Sequence, residues 1–378
     1  MNTFILRLAE RVIRAADREH PADAVLRDAL KARRDITPDQ RRRVSEAVFA
    51  YYRWFGWLEP AAPIQVQLER ALGLAERYAG APDGFTSGEL LARAVPGWLA
   101  TVMEVTPAWA RILQNQPRLW LRAQRAQGWE LSQKLGDCRA FGTGALADTL
   151  EYRGTGDLFR TAEFHAGEFE LQDISSQAVG FICAPQPGQT WWDACAGEGG
   201  KTLHLSGLME NKGLIWASDP ADWRLQKLKR RAARAKVFNY RAAAWDGGVR
   251  LPTKTKFDGV LVDAPCSGIG TWQRNPHARW TVAAKDVEEL SGLQTNILAN
   301  VASAVKPGGK LVYAVCTLAR PETTGVAEAF EKGCPEFTRL PLANPLDAGA
   351  SASGQIEYWP QQFGGSGMFV AAWTRRAG

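Results

Sequence analysis

The chain has 378 residues, 46% of them hydrophobic and 23% charged, with a net charge of +6. That length exceeds one average domain and supplies core for two or three, and no uncharged apolar run approaches the roughly 20 residues that span a bilayer, which excludes a helical membrane protein. The six cysteines (Cys138, Cys183, Cys195, Cys266, Cys316, Cys334) form no Cys-x-x-Cys pair and the four histidines are dispersed, which argues against a zinc centre, a disulfide framework or any other metal site.

The first ten residues lack the apolar core and small-residue cleavage site of a secretory signal, so a cytoplasmic protein is expected. Residues 1 to 112 read as helical. Thr37-Pro38-Asp39 marks a helix start with proline at the first helical position, and Val44, Ala47, Val48, Tyr51, Tyr52, Trp54 and Phe55 recur at helical spacing. Aromatics interleaved with Arg53 could stack on bases, but a core stripe is the better reading at that spacing. Arg14, Arg18, Arg33, Arg34 and Arg41 to Arg43 make this region basic, with acids interspersed.

From 113 to 172 the texture changes to short, glycine-punctuated runs such as Leu119-Trp120-Leu121-Arg122 and Thr149-Leu150-Glu151-Tyr152, the pattern of a small α+β module. From 173 to 378 strands and helices alternate. Thr190 to Asp193, Leu214 to Ser218, Gly259 to Asp263, Leu311 to Val315 and Met368 to Trp373 are the expected strands, and their alternation predicts a doubly wound, largely parallel α/β sheet. Between Trp223 and Arg241 stand eight lysines or arginines and no acid. Such a helix can bind phosphates or simply be a solvated face.

The most specific turn is Asp193-Ala194-Cys195-Ala196-Gly197-Glu198-Gly199-Gly200-Lys201-Thr202, directly after a strand. Its glycines let a ligand approach the backbone. A Walker loop ending in Gly200-Lys201-Thr202 needs a glycine where Cys195 stands, and the dinucleotide fingerprint needs one where Thr202 stands. The remaining candidate is S-adenosylmethionine, an amino acid joined to a nucleoside without a pyrophosphate. Asp219 ends the next strand, placed to accept hydrogen bonds from ribose hydroxyls, and Asp246 follows the third, placed to meet the adenine amino group. Two further strands end in chemistry: Asp263-Ala264-Pro265-Cys266-Ser267-Gly268 and Tyr313-Ala314-Val315-Cys316. Thiols at strand ends point into the crevice where such sheets place ligands.

Together with Asp173-Ile174-Ser175-Ser176-Gln177, Arg274-Asn275-Pro276, Arg279-Trp280, Gln294 and Pro321-Glu322, these segments form an ordered set that resembles the Sun/RsmB-type family of RNA cytosine-5 methyltransferases. The resemblance implies a Rossmann-like class I methyltransferase domain at 173–378, a shortened NusB-like helical RNA-binding module at 1–112, and a small α+β RNA-binding extension at 113–172. It implies S-adenosylmethionine as cofactor, held by Asp193, Ala194, Cys195, Ala196, Gly197, Gly199, Gly200 and Lys201 of the loop with Asp219, Arg224, Asp246, Asp263 and Pro265. RNA is the implied partner, ribosomal RNA foremost, and a monomer without membrane or metal is expected.

By the same resemblance Cys316 is the nucleophile that attacks C6 of cytosine and Cys266 assists product release. Asp263 hydrogen-bonds the cytosine edge and Lys201 stabilises charge in the site. DNA cytosine-5 methyltransferases use the cysteine of a Pro-Cys pair, which would nominate Cys266 instead. Val315 stands where the family usually has threonine, and Thr323, His277 and Ser366 also depart from its pattern. A transfer RNA methyltransferase using the same chemistry and a non-catalytic RNA-binding assembly factor are the alternative readings.

Overall fold

Thr37 starts its helix with a reciprocal cap. Its hydroxyl accepts the Gln40 amide at 3.2 Å, the Gln40 side chain accepts the Thr37 amide at 2.9 Å, and Pro38 opens the first turn. The structure, a computed structural model, describes residues 3–33 and 35–377. Arg34 of the amino-terminal basic region lies outside them. Among the described residues no helix is long and apolar enough to cross a membrane.

The chain divides into two compact units, Met1–Pro117 with Gly268–Asp286, and Arg118–Ser267 with Val287–Gly378. The first unit is helical, with its longer helices at Thr3–Ala15, Ala22–Lys31, Pro38–Arg53 and Ile64–Gly80. Tyr51, Tyr52, Arg53 and Trp54 are all buried, so the aromatic stripe is core. Trp54 sits at its centre, with ring centroids 4.9 Å from Trp57, 5.5 Å from Tyr78 and 5.1 Å from Phe85. The segment 268–286, remote in sequence, completes this core. Trp280 Nε1 donates to the Tyr52 carbonyl at 2.7 Å, and the fully buried Arg279 guanidinium donates to the carbonyls of Arg53, Ala94, Leu113 and Trp272 at 2.8 to 3.3 Å.

The second unit contains two sheets. The smaller is antiparallel and built from β1 (Leu119–Ala123), β2 (Cys138–Ala140), β3 (Thr149–Tyr152) and β4 (Phe169–Leu171) in the order β2-β3-β1-β4. Leu121, Ala123, Leu131, Leu150, Leu158 and Phe169 are its core.

The larger sheet has eight strands: β5 (Thr190–Asp193), β6 (Leu214–Asp219), β7 (Tyr240–Ala244), β8 (Phe257–Asp263), β9 (Val305–Val315), β10 (Phe337–Arg339), β11 (Gln355–Tyr358) and β12 (Met368–Arg375). They run β10-β12-β9-β8-β5-β6-β7, with β11 also pairing with β12. The block β9-β8-β5-β6-β7 is parallel, whereas β12 is antiparallel to β9, and β10 and β11 are antiparallel to β12. This is the Rossmann-like α/β architecture. Adjacent side chains serve opposite faces, as the two-residue strand period requires: Trp191 packs on one face with Ile174, Leu205 and Val312, and Trp192 on the other with Val260, Leu298 and Tyr313. Covering both faces makes the strands apolar throughout, which is why they stand out in the sequence.

Candidate active site

The strand order reverses at β5, with β6 and β7 on one side and β8 and β9 on the other. Loops leaving the carboxyl ends of β5 and β8 diverge there and open a crevice. Asp193, Asp219 and Asp263 each end a strand of this parallel block, so three carboxyl groups arrive at the same rim.

After β5 the backbone turns through Ala194 to Gly199 into the helix Gly200–Leu208. Gly199 has φ +87°, and a Cβ there would stand 2.6 Å from Leu228 Cγ; only glycine suits both demands. The Gly197 amide donates to Asp219 Oδ2 at 3.1 Å, and the Ala221 amide donates to Asp219 Oδ1 at 2.8 Å. The carboxylate is thereby fixed from both sides, with the Arg224 guanidinium 3.6 Å away.

A cleft of about 360 Å³ lies over this turn. Of the residues named above as cofactor ligands, Ala194, Cys195, Ala196, Gly197, Asp219, Arg224, Asp246, Asp263 and Pro265 line it. Asp193, Gly199, Gly200 and Lys201 do not line it. Asp193 is fully buried, with Oδ2 accepting the Thr202 hydroxyl at 2.6 Å and Oδ1 without a partner. Burial pushes its pKa up to about 7, against the pull of the Thr202 hydrogen bond. Asp193 thus braces the turn from behind.

Trp245, Pro220, Leu293 and Ile297 add an apolar wall, and Glu198 a further carboxylate. These residues were not among the expected ligands. Leu293 and Ile297 come from the helix Ala284–Ala302, and their helical spacing looks the same whether they serve core or cleft. The lining carries four carboxyl groups and, among the described residues, one cation, Arg224. That donor set disfavours a pyrophosphate and suits a sulfonium nucleoside with ribose hydroxyls and a flat, half-apolar base. S-adenosylmethionine fits it: Asp219 would hold the ribose, Asp246 the adenine edge, and the Ala194–Gly197 turn the amino acid end.

The two thiols stand on neighbouring strand ends. Cys316 directly follows β9, Cys266 follows β8 by three residues, and their sulfurs are 3.3 Å apart. Lys201 Nζ donates to Asp263 Oδ2 at 2.5 Å from a buried position. Burial penalises the Lys201 ammonium, but the Asp263 charge and hydrogen bond outweigh it, with a contribution from Cys316, and hold its pKa above the ordinary lysine value. Lys201 therefore stays charged and holds the Asp263 side chain beside the thiols.

Both cysteine loops are tied to one buried carboxylate, which the sequence did not single out for this role. Glu322 Oε1 accepts the Ser267 amide at 2.8 Å and Gln294 Nε2 at 3.0 Å; its Oε2 accepts the Thr317 hydroxyl at 3.1 Å and the Ser267 hydroxyl. Burial raises its pKa while these donors hold it down. Ser267 neighbours Cys266 and Thr317 neighbours Cys316, so a single side chain sets the spacing of the two thiols. Tyr313 on β9 completes the network, its hydroxyl donating to the Glu322 carbonyl at 2.6 Å and to Gln294 Oε1 at 3.0 Å.

A family model described as 16S rRNA methyltransferase RsmB/F matches residues 181–374. A probable ribosomal RNA small subunit methyltransferase B of Synechocystis sp. is 33% identical over 297 residues, covering 73% of this chain and 66% of that protein. The crystal structure of the protein PH0851 aligns with a TM-score of 0.79 at 20% identity, over 98% of this chain and 97% of its own, a likeness of fold. A methyltransferase homologue from Pyrococcus horikoshii aligns with a TM-score of 0.61 at 25% identity, over 71% of this chain and 90% of its own. The chain spans half to two thirds of the length of the curated relatives it matches. With half of its residues under the family model, the chain belongs to the RsmB/F family of 16S ribosomal RNA methyltransferases.

Proposed function

We propose that the chain transfers the methyl group of S-adenosylmethionine to C5 of a cytosine in RNA, 16S ribosomal RNA foremost, through a covalent bond between Cys316 Sγ and C6 of the base. The observation that carries this reading is the pair of thiols 3.3 Å apart at the ends of β8 and β9, beside the acidic cleft.

Cytosine C5 is too weak a nucleophile to take a methyl group directly. Addition of the Cys316 thiolate to C6 breaks the C5–C6 double bond and places its electron pair on C5. S-adenosylmethionine, when bound, supplies an electrophilic methyl group. Asp263, held by Lys201, hydrogen-bonds the cytosine edge and steadies the charge that builds up on the ring. A water molecule then takes the C5 proton, the C5–C6 double bond re-forms from that C–H pair, and the C6–Sγ bond breaks with its electrons returning to Cys316 Sγ; Cys266, in van der Waals contact with Cys316, assists that departure. Drawing a structured cytosine into the crevice costs a few kcal/mol. We assign that binding energy to the helical module and the α+β extension.

Tritiated methyl transfer to 16S ribosomal RNA, followed by bisulfite sequencing, tests the reading. Wild type should create new protected cytosines, and Cys316→Ser should lower the rate by at least ~1,000-fold. Tight RNA binding by wild type without transfer to any cytosine would instead favour a non-catalytic assembly factor.

A further inference from the structure

Away from the cysteines, β1 of the small sheet carries a buried arginine whose hydrogen-bonding capacity is mostly unspent. Arg122 is 9% exposed. Its Nε donates to Gln172 Oε1 at 2.6 Å, and no carboxylate among the described residues lies within ion-pair distance of it. Burial pulls its pKa down to about 10, still far above neutral, so the guanidinium is charged. Uncompensated buried charge is costly unless the remaining donors find partners. Gln172 holds the Nε edge and so fixes the plane, leaving the two Nη groups as a fork.

Two clefts, of about 320 and 290 Å³, meet at that fork, and both are lined by Arg122, Arg125 and Gly207. Gly207 keeps the space beside it open: a Cβ there would find nothing nearer than Arg122 Nη1 at 3.8 Å. The carboxylates of the neighbourhood are already engaged. Asp148 accepts the amides of Ala126 and Gly128 at 2.8 Å each, Glu170 is clamped by Arg231 at 2.9 Å and Arg234 at 2.5 Å, and Glu210 pairs with Arg125 and, at 3.0 Å, with Lys212. Each of the three acids lining the clefts is thus held by other donors, and none of them lies at ion-pair distance from Arg122.

The second cleft also presents an aromatic surface. His204 is buried, packs edge-on against Phe181 with centroids 4.9 Å apart, and has no partner for Nδ1. Burial and the Arg122 charge keep its pKa well below the ordinary histidine value, so it offers a neutral ring beside a cation.

We propose that the Arg122 fork, fixed by Gln172 and opened by Gly207, is a binding site for a phosphodiester of the bound RNA, so that the strand crosses the small sheet as well as the methyl-transfer crevice. A phosphate presents two oxygens that match a planar pair of Nη donors. The inference rests on the RNA-methyltransferase reading for the identity of the strand. Free phosphate shares the chemistry, and the measurement separates the two.

The experiment uses the full chain as wild type, Arg122→Gln and Gly207→Leu. Gly207→Leu retains the charge and its Gln172 partner but fills the space at the fork, and in the helix Gly200–Leu208 it replaces a poor helix former with a good one. Affinity for a 16S ribosomal RNA fragment is measured across a salt series, with S-adenosylmethionine affinity as the check on folding and inorganic phosphate as competitor. Both variants should bind RNA roughly tenfold more weakly and lose about 0.7 from the slope of log K against log salt, the loss of one single-strand phosphate contact; their cofactor affinity should be unchanged. A Gly207→Leu protein that binds cofactor normally and RNA with the wild-type slope overturns the site. Phosphate that binds wild type but not the variants, with no change in RNA slope, overturns the assignment to RNA. Methyl transfer by wild type is measured in parallel. Transfer with unchanged slopes removes this inference and leaves the function standing, and changed slopes without transfer do the reverse.

Discussion

Arg279 in the helical unit and Arg122 in the α/β unit are both buried arginines with no carboxylate at ion-pair distance among the described residues, yet their surroundings differ. Arg279 gives its donors to four main-chain carbonyls of its own unit. Arg122 gives one to a side-chain amide and opens the rest onto two clefts. A buried cation whose Nη groups are taken up by main-chain carbonyls, as in Arg279 with only Nε unpartnered, is a structural clamp; one whose Nη groups are oriented and left open is a receptor.

The largest effect should come from the clamp. Arg279→Met leaves four buried carbonyls without their donor and should cost about 3 kcal/mol or more of stability, read as a lower urea midpoint, while Arg279→Lys, with a narrower set of donors, should recover only part of it. A loss under about 1 kcal/mol would show that the carbonyls are satisfied in other ways and would erase the contrast with Arg122.

Glu322→Gln should come next. The substitution preserves shape but turns one of the two acceptor oxygens into a donor, facing either the Ser267 amide with Gln294 Nε2 or the Ser267 and Thr317 hydroxyls, so the thiol spacing loosens. Methyl transfer should fall ~10- to 100-fold in kcat, with S-adenosylmethionine affinity unchanged and stability lower by about 2 kcal/mol. An equal fall in cofactor affinity would show that Glu322 supports the sheet as a whole and not the two cysteine loops.

The narrowest effect, confined to one stretch of pH, is electrostatic. Folding raises the Asp193 pKa to about 7 from an ordinary 3.8, so between these values the folded chain holds a proton that the unfolded chain releases. Stability contributed by this group is present at low pH and is lost as pH rises from about 4 to about 7. Asp193→Asn, which cannot ionise, should flatten that portion of the stability profile and be relatively more stabilising at pH 8 than at pH 4. An unchanged profile would place the pH dependence elsewhere.

The central strands were legible because burial on both faces makes them apolar runs, with β5, β6 and β8 each ending in an aspartate at the rim. β9 was only half legible. Lys306-Pro307-Gly308-Gly309 reads as a turn, but pairing with β8 across a register irregularity starts the strand at Val305. β10 and β11 are three and four residues long, and pairing with β12, not local propensity, makes them strands. Asp219 and Asp263 of the cleft could be found because each closes a strand, and Asp246 because it closely follows one. Glu322 and Gln294 belonged to recognisable segments, but their tie to the thiol loops joins residues far apart in the chain and has no local signature. The return of 268–286 to the helical core escaped notice for the same reason: Arg279 and Trp280 find their partners only in three dimensions.

The central claim, that Cys316 bonds to the base and Cys266 frees it, is tested most directly by trapping the adduct. Each cysteine is replaced by alanine, the protein is mixed with RNA and S-adenosylmethionine, and the mixture is run on a denaturing gel. Cys266→Ala should accumulate a covalent protein–RNA band and Cys316→Ala should show none. A band that persists in Cys316→Ala and vanishes in Cys266→Ala would contradict the account and exchange the roles of the two thiols.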